Sequence, residues 1–136
     1  MKTTTTIRLS ALALLTTGFA LGPVPASTAE PAPARQILAE TGVKGGVVVH
    51  VGCGDGTLTA ALRVSDSFLV HGLDTAAKNV QAARQHIQSL GLAGKVSVAQ
   101  WTGPRLPYVD NLVNLVVSEN PGALDMKEVL RVLCPN

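Results

Sequence analysis

The stretch "GVVVHVGCGDGTLTAAL", residues 46–62, constrains the fold more than any other. "GVVVHV" (46–51), a short run β-branched at Val47, Val48, Val49 and Val51, is the mark of a strand covered on both faces. It runs straight into glycines at alternate positions, Gly52, Gly54 and Gly56, and then into a short helical pattern over 57–64. Glycine tolerates backbone conformations closed to other residues and lets a ligand approach the main chain. A strand that feeds a helix through such a turn opens a βαβ unit, with the turn's amide N–H groups aimed outward.

The rest of the chain repeats the alternation. "SFLVHGLD" (67–74) reads as a second strand, "KVSVAQW" (95–101) as a third and "NLVNLVVSE" (111–119) as a fourth. Between them "TAAKNVQAARQHIQSLGL" (75–92) carries apolar residues Ala76, Val80, Ala83, Ile87 and Leu90 at helical spacing and stops at Gly91. "ALDMKEVLRVL" (123–133) is a further amphipathic helix, and "ARQILAETG" a short one from Arg35 to Gly42. Strands and helices in turn predict a doubly wound α/β domain with a parallel sheet, here truncated after about four strands. With 46% hydrophobic but only 3% aromatic residues, its core must be aliphatic.

The first 29 residues follow a different logic. Lys2 and Arg8 precede an apolar stretch from Leu9 to Leu21, then small residues and prolines, the layout of a secretory signal peptide. Cleavage fits after Ala26 or Ala29, so an exported, periplasmic or secreted product is expected. The Pro/Ala-rich stretch that follows, ending at Ala34, reads as a linker (30–34 after processing), and the domain is expected over 35–136. Without Lys2 and Arg8, nine basic residues face nine acidic ones, which excludes a nucleic-acid partner. The apolar stretch is too short for a stable membrane span, which takes about 20 residues. Cys53 and Cys134 match no metal spacing and read as unpaired small hydrophobes, so no metal is expected.

Dinucleotide-binding turns are written G-x-G-x-x-G, but here the spacing is G-x-G-x-G, and Thr57 stands where the third dinucleotide glycine would be. At this point the sequence resembles the class I S-adenosylmethionine-dependent methyltransferases, over roughly residues 37–136. Residues 47–58 look like the family's first motif. "VHGLD" ends in Asp74, where the family places the acid that holds the ribose hydroxyls. "LPYVDNLVNLVV" (106–117) is similar to its loop and fourth strand, and "EVLRVLCPN" (128–136) to the start of its next helix and turn. The resemblance implies a Rossmann-like fold and S-adenosyl-L-methionine held by Gly52, Cys53, Gly54, Asp55, Gly56, Asp74, Thr75, Trp101 and Thr102. It names no catalytic residue and no acceptor. The chain departs from the family pattern at His50, Thr102 and Asn114, where the family usually carries acids.

Several residues have two readings. Asp74 caps the following helix or binds ribose. Asp55 is a turn residue before it is anything catalytic. His50 and His71 are interior strand histidines, and His86 is solvated. Trp101 is core or an adenine platform. Glu119 and Asn120 face a substrate or simply form a turn with Pro121. For the whole chain, a non-catalytic structural module of an exported protein competes with the enzyme, and a nicotinamide-dependent oxidoreductase fragment stands third. The sheet edge left open after four strands predicts either a longer product or self-association. Leader, linker and domain together also resemble the start of exported bacterial proteins that continue into a quinoprotein-type β-propeller.

Overall fold

The computed structural model describes residues 32–135 apart from Pro121 and Ala123. The expected leader, 1–29, lies outside them. Eight elements follow one another: α1 (Ala32–Thr41), β1 (Gly46–Val51), α2 (Thr57–Ala61), β2 (Phe68–Asp74), α3 (Ala77–Ser89), β3 (Val96–Gln100), β4 (Leu115–Ser118) and α4 (Met126–Val132). All strand pairings are parallel and the strand order is β3-β2-β1-β4.

The two faces of β1 explain why valines stand at successive positions along it. Val48 packs with Phe68, Val70, Val96 and Val98 beneath α1, α2 and α3. Val49 and Val51 face the other way, with Leu73, Leu106, Val113 and Val132 under α4 and the loop before β4. Val48 and Val49 are both fully buried. Helices on both faces make the sheet doubly wound, as the alternation predicts. α3 contributes Val80, Ala83 and Ile87 of the expected stripe to the first core, whereas Ala76 precedes the helix in an extended conformation and Leu90, just past its end, is exposed.

The helices α2, α3 and α4 are shorter than expected by a few residues at their ends, and two further boundaries differ for a visible reason. The extended linker predicted as far as Ala34 gives way to helix, for α1 already starts at Ala32. Pro33 sits in the first helical turn, where a missing N–H costs nothing. Ala34 is fully buried in the first core, so it belongs to the domain. β4 is shorter than the predicted 111–119 because its start is diverted. Asn114 turns its side chain back to accept the Val47 N–H at 2.9 Å. Val113 instead makes an isolated parallel bridge to Leu133.

Candidate functional site

β1, β2 and β3 step across the sheet in one direction, and β4 lies on the other side of β1. The strand order therefore reverses between β1 and β4. In open parallel sheets the crevice beyond the carboxyl ends of the strands at such a reversal is where ligands bind. A cleft lies there, lined by Val51 and Gly52 after β1, Asp74 and Thr75 after β2, Trp101 after β3, and Ser118 and Asn120 after β4. Every strand of the sheet contributes its end.

The glycines at alternate positions all have left-handed backbones: φ is +81° at Gly52, +54° at Gly54 and +82° at Gly56. Their spaces differ. A Cβ on Gly52 or Gly54 would meet no heavy atom within 4 Å, so both leave open room on the turn. A Cβ on Gly56 would lie 2.8 Å from Ala83 Cβ. Gly52 and Gly54 thus keep the turn's outer side clear, whereas Gly56 lets α2 press against α3. The turn is tied to β2, because the amides of Gly52 and Cys53 both donate to the Leu73 carbonyl at 2.7 and 3.1 Å.

Asp74 is buried and joins the turn to α3. One carboxylate oxygen accepts the Gly54 N–H at 3.0 Å. The other accepts the Ala76 N–H at 2.9 Å and the Asn79 side-chain amide at 3.2 Å. Asp74 therefore anchors the entry to the helix that follows it, while it also lines the cleft. Trp101 is fixed at two points: its backbone N–H donates to the Asp74 carbonyl at 2.9 Å and its ring N–H to the Arg105 carbonyl at 2.7 Å.

Of the nine residues expected to hold a cofactor, Gly52, Asp74, Thr75 and Trp101 line the cleft. The others serve differently. The Cys53 side chain is buried in the first core, and burial pushes its thiol up to about 11. Asp55 is exposed and accepts the Thr57 N–H at 3.0 Å, the turn role expected of it. Gly54 donates to Asp74, Gly56 lets α2 lie close to α3, and Thr102 is exposed outside the lining. Asn120 reaches the cleft, while Glu119 is exposed beside it. Asn114 lies at the amino end of β4, away from the cleft, so the missing acid there removes nothing from a ligand. Ser118 was not among the expected residues; a lone serine ending an apolar strand carries no sequence signal.

His50 is 1% exposed, with Nδ1 2.8 Å from Thr59 Oγ1 and no hydrogen-bond partner for Nε2. Burial lowers its pKa against the opposing pull of Glu119 and Asp74. It is an interior histidine, as is His71, whose Nδ1 meets the Tyr108 hydroxyl and whose pKa burial also lowers.

Residues 48–136, well over half of the chain, match the family described as Methyltransferase domain. The chain belongs to that family. A SAM-dependent methyltransferase from Aquifex aeolicus superposes with a TM-score of 0.66 at 26% identity, over 75% of this chain and 58% of the other. A protein from Methanococcus maripaludis, assigned to the S-adenosyl-L-methionine-dependent methyltransferases, gives 0.68 at 25% identity, over 77% and 51%. Geranyl diphosphate C-methyltransferase from Streptomyces coelicolor, solved with S-adenosyl-L-homocysteine, gives 0.68 at 19%, over 76% and 41%, a likeness of fold alone. This methyltransferase domain spans about half the length of those structures. No curated protein matches the sequence.

Proposed function

We propose that the domain binds S-adenosyl-L-methionine in the cleft at the carboxyl ends of β1–β4 and serves methyl transfer to an acceptor not yet identified. The observation that carries this reading is the meeting of an unencumbered glycine turn, a buried carboxylate and an aromatic ring where the strand order reverses. Gly52 and Gly54 leave room for the ligand against the main chain. Asp74 supplies charged acceptor oxygens suited to ribose hydroxyls, and Trp101 a flat apolar wall suited to a purine. His50 and Thr102 stand where the family usually has acids, so less charge faces the ligand here than in a typical member.

Bound S-adenosyl-L-methionine carries its own activated methyl group, and the protein's share is positioning. This chain's part of that is the fixed frame of turn, Asp74 and Trp101, each locked by hydrogen bonds to its neighbours. Calorimetric titration with S-adenosyl-L-homocysteine tests the proposal. Saturable binding that Asp74→Ala and Gly54→Val both remove is the expected result. No heat at millimolar ligand would leave the structural-module reading in its place.

The layout of residues 1–29 supports export of the domain, with a mature start at Ser27 or Glu30. Mass spectrometry of exported protein tests this, and an intact Met1 there would refute it.

A further inference from the structure

We propose that Arg131 and Glu128, on α4 and outside the cleft, are positioning residues that set Trp101 in the cleft wall. The proposal rests on the cleft reading above and adds to it a control element on the far side of a loop.

The connection runs bond by bond. Trp101 donates its ring N–H to the carbonyl of Arg105. The next residue, Leu106, is 3% exposed and plugged into the second core. Its N–H donates to Glu128 Oε2 at 3.1 Å, and its carbonyl accepts from Arg131 Nη2 at the same distance. Arg131 Nη1 also donates to the Tyr108 carbonyl at 2.9 Å and to Asp110 at 2.6 Å. The remaining donors meet Glu128 bidentately, Nε to Oε1 at 3.0 Å and Nη2 to Oε2 at 2.8 Å.

All of the guanidinium's N–H groups are thereby used, which only arginine's planar fork can supply. Lysine keeps the charge but cannot bridge Leu106, Tyr108, Asp110 and Glu128 together. The loop is also fastened by the Leu106 plug, by Tyr108 against His71, by the Arg105–Glu128 ion pair of the same cluster and, at its far end, by the Asn111 N–H on the Arg131 carbonyl at 3.0 Å and Cys134 Sγ on the Asn111 carbonyl at 2.8 Å; of these only the Arg105–Glu128 pair lies between Trp101 and Leu106. The backbone end of Trp101 is tied to Asp74 and does not depend on α4. The ring end is tied to the Arg105 carbonyl, immediately before the residue that the clamp grips. Loosening the clamp therefore tilts the ring without dismantling the sheet.

Trp101 is the only tryptophan in the chain, so its emission reports the cleft wall with no other source. The experiment compares emission, acrylamide quenching and S-adenosyl-L-homocysteine affinity in wild type, Arg131→Lys, Glu128→Gln and Leu38→Ala. Leu38 is buried on the opposite face of the sheet and serves as a control for loss of stability alone. Arg131→Lys and Glu128→Gln should retain the wild-type circular dichroism, shift Trp101 emission to the red and raise its quenching. Affinity should fall roughly tenfold, about 1.4 kcal/mol. Leu38→Ala should lower the melting temperature and leave emission unchanged.

Wild-type emission and quenching in folded Arg131→Lys would overturn the proposal, and so would an equal shift in Leu38→Ala. Should a clamp variant fail to fold, the other carries the same comparison; failure of both to fold would make the pair structural and end the proposal. If wild type itself binds no ligand, the cofactor reading fails, while the emission comparison still decides whether α4 positions the ring.

Discussion

Gly54 and Gly56 are two residues apart, have the same kind of backbone and should fail in opposite ways. At Gly56 an alanine Cβ would sit 2.8 Å from Ala83 Cβ, 3.0 Å from its Cα and 3.3 Å from its carbonyl oxygen. Two of those three neighbours are backbone atoms of α3 and cannot swing aside, so the helices must separate. A left-handed backbone costs a non-glycine residue about 1–2 kcal/mol. Overpacking adds about 1–3 kcal/mol. The stiffer unfolded chain returns about 0.4–1 kcal/mol. The net loss for Gly56→Ala is roughly 1–4.6 kcal/mol, or at least about 4 °C in a domain near 100 residues.

Gly54→Ala meets nothing and bears only the backbone cost, about 1 kcal/mol after the same correction. Its methyl group instead occupies the open room of the turn. Thermal melts followed by circular dichroism, paired with S-adenosyl-L-homocysteine titration, separate the two. Gly56→Ala should melt far lower. Gly54→Ala should lose less, roughly 4–8 °C, and bind at least tenfold more weakly. A Gly56→Ala protein melting within about 2 °C of wild type would refute the packing account.

Further outcomes follow from the site. Asp74→Ala should lower the stability of ligand-free protein by at least about 1.5–3 kcal/mol, since the carboxylate accepts bonds from Gly54, Ala76 and Asn79; an unchanged urea midpoint would refute it. Burial lowers the His50 pKa, so the unfolded chain takes up that proton first as pH falls. Its contribution is intact above the ordinary histidine value of 6.5 and is lost as pH drops below it towards the folded value. The slope is at most about 1.4 kcal/mol per pH unit, and His50→Gln should flatten it in urea melts. In native protein an alkylating reagent should label Cys134 and spare Cys53, whose buried thiol is pushed up to about 11; labelling of both before unfolding, seen by mass spectrometry, would contradict the burial.

β1 was legible to the residue, because an apolar β-branched run bounded by glycines has one reading. β4 was not, since apolar residues flank Asn114 on both sides in "NLVNLVVSE" and nothing local says that Asn114 folds its side chain back onto β1. The start of α1 was misplaced for a related reason: prolines signal a linker, yet the first turn of a helix tolerates one. At the site, the residue types pointed to a turn and an acid that the fold does bring to one cleft. Side-chain direction was the missing information. Cys53 lies in the turn but points into the core, and Asp74 shares its oxygens between the turn and the start of α3, while its ribose role stays a proposal. Of the Arg131 clamp only the Glu128–Arg131 pair, three residues apart on one helix, could be read from the sequence; the bonds to the Leu106 and Tyr108 carbonyls leave no mark on residue type.

The order of the strands also sets an order of events. β1, β2 and β3 are neighbours in both sequence and space, so their pairing closes short loops through α2 and α3. β4 must find β1 across a separation such as that between Val47 and Asn114, 67 residues. Pairings that span more chain carry a greater entropic cost and form more slowly. The β1–β4 seam, which completes the cleft, is therefore the last part of the sheet to assemble. Ligand affinity appearing during refolding would time the closure of that seam, and pulsed hydrogen exchange should protect the amides of β2 and β3 before those of β4.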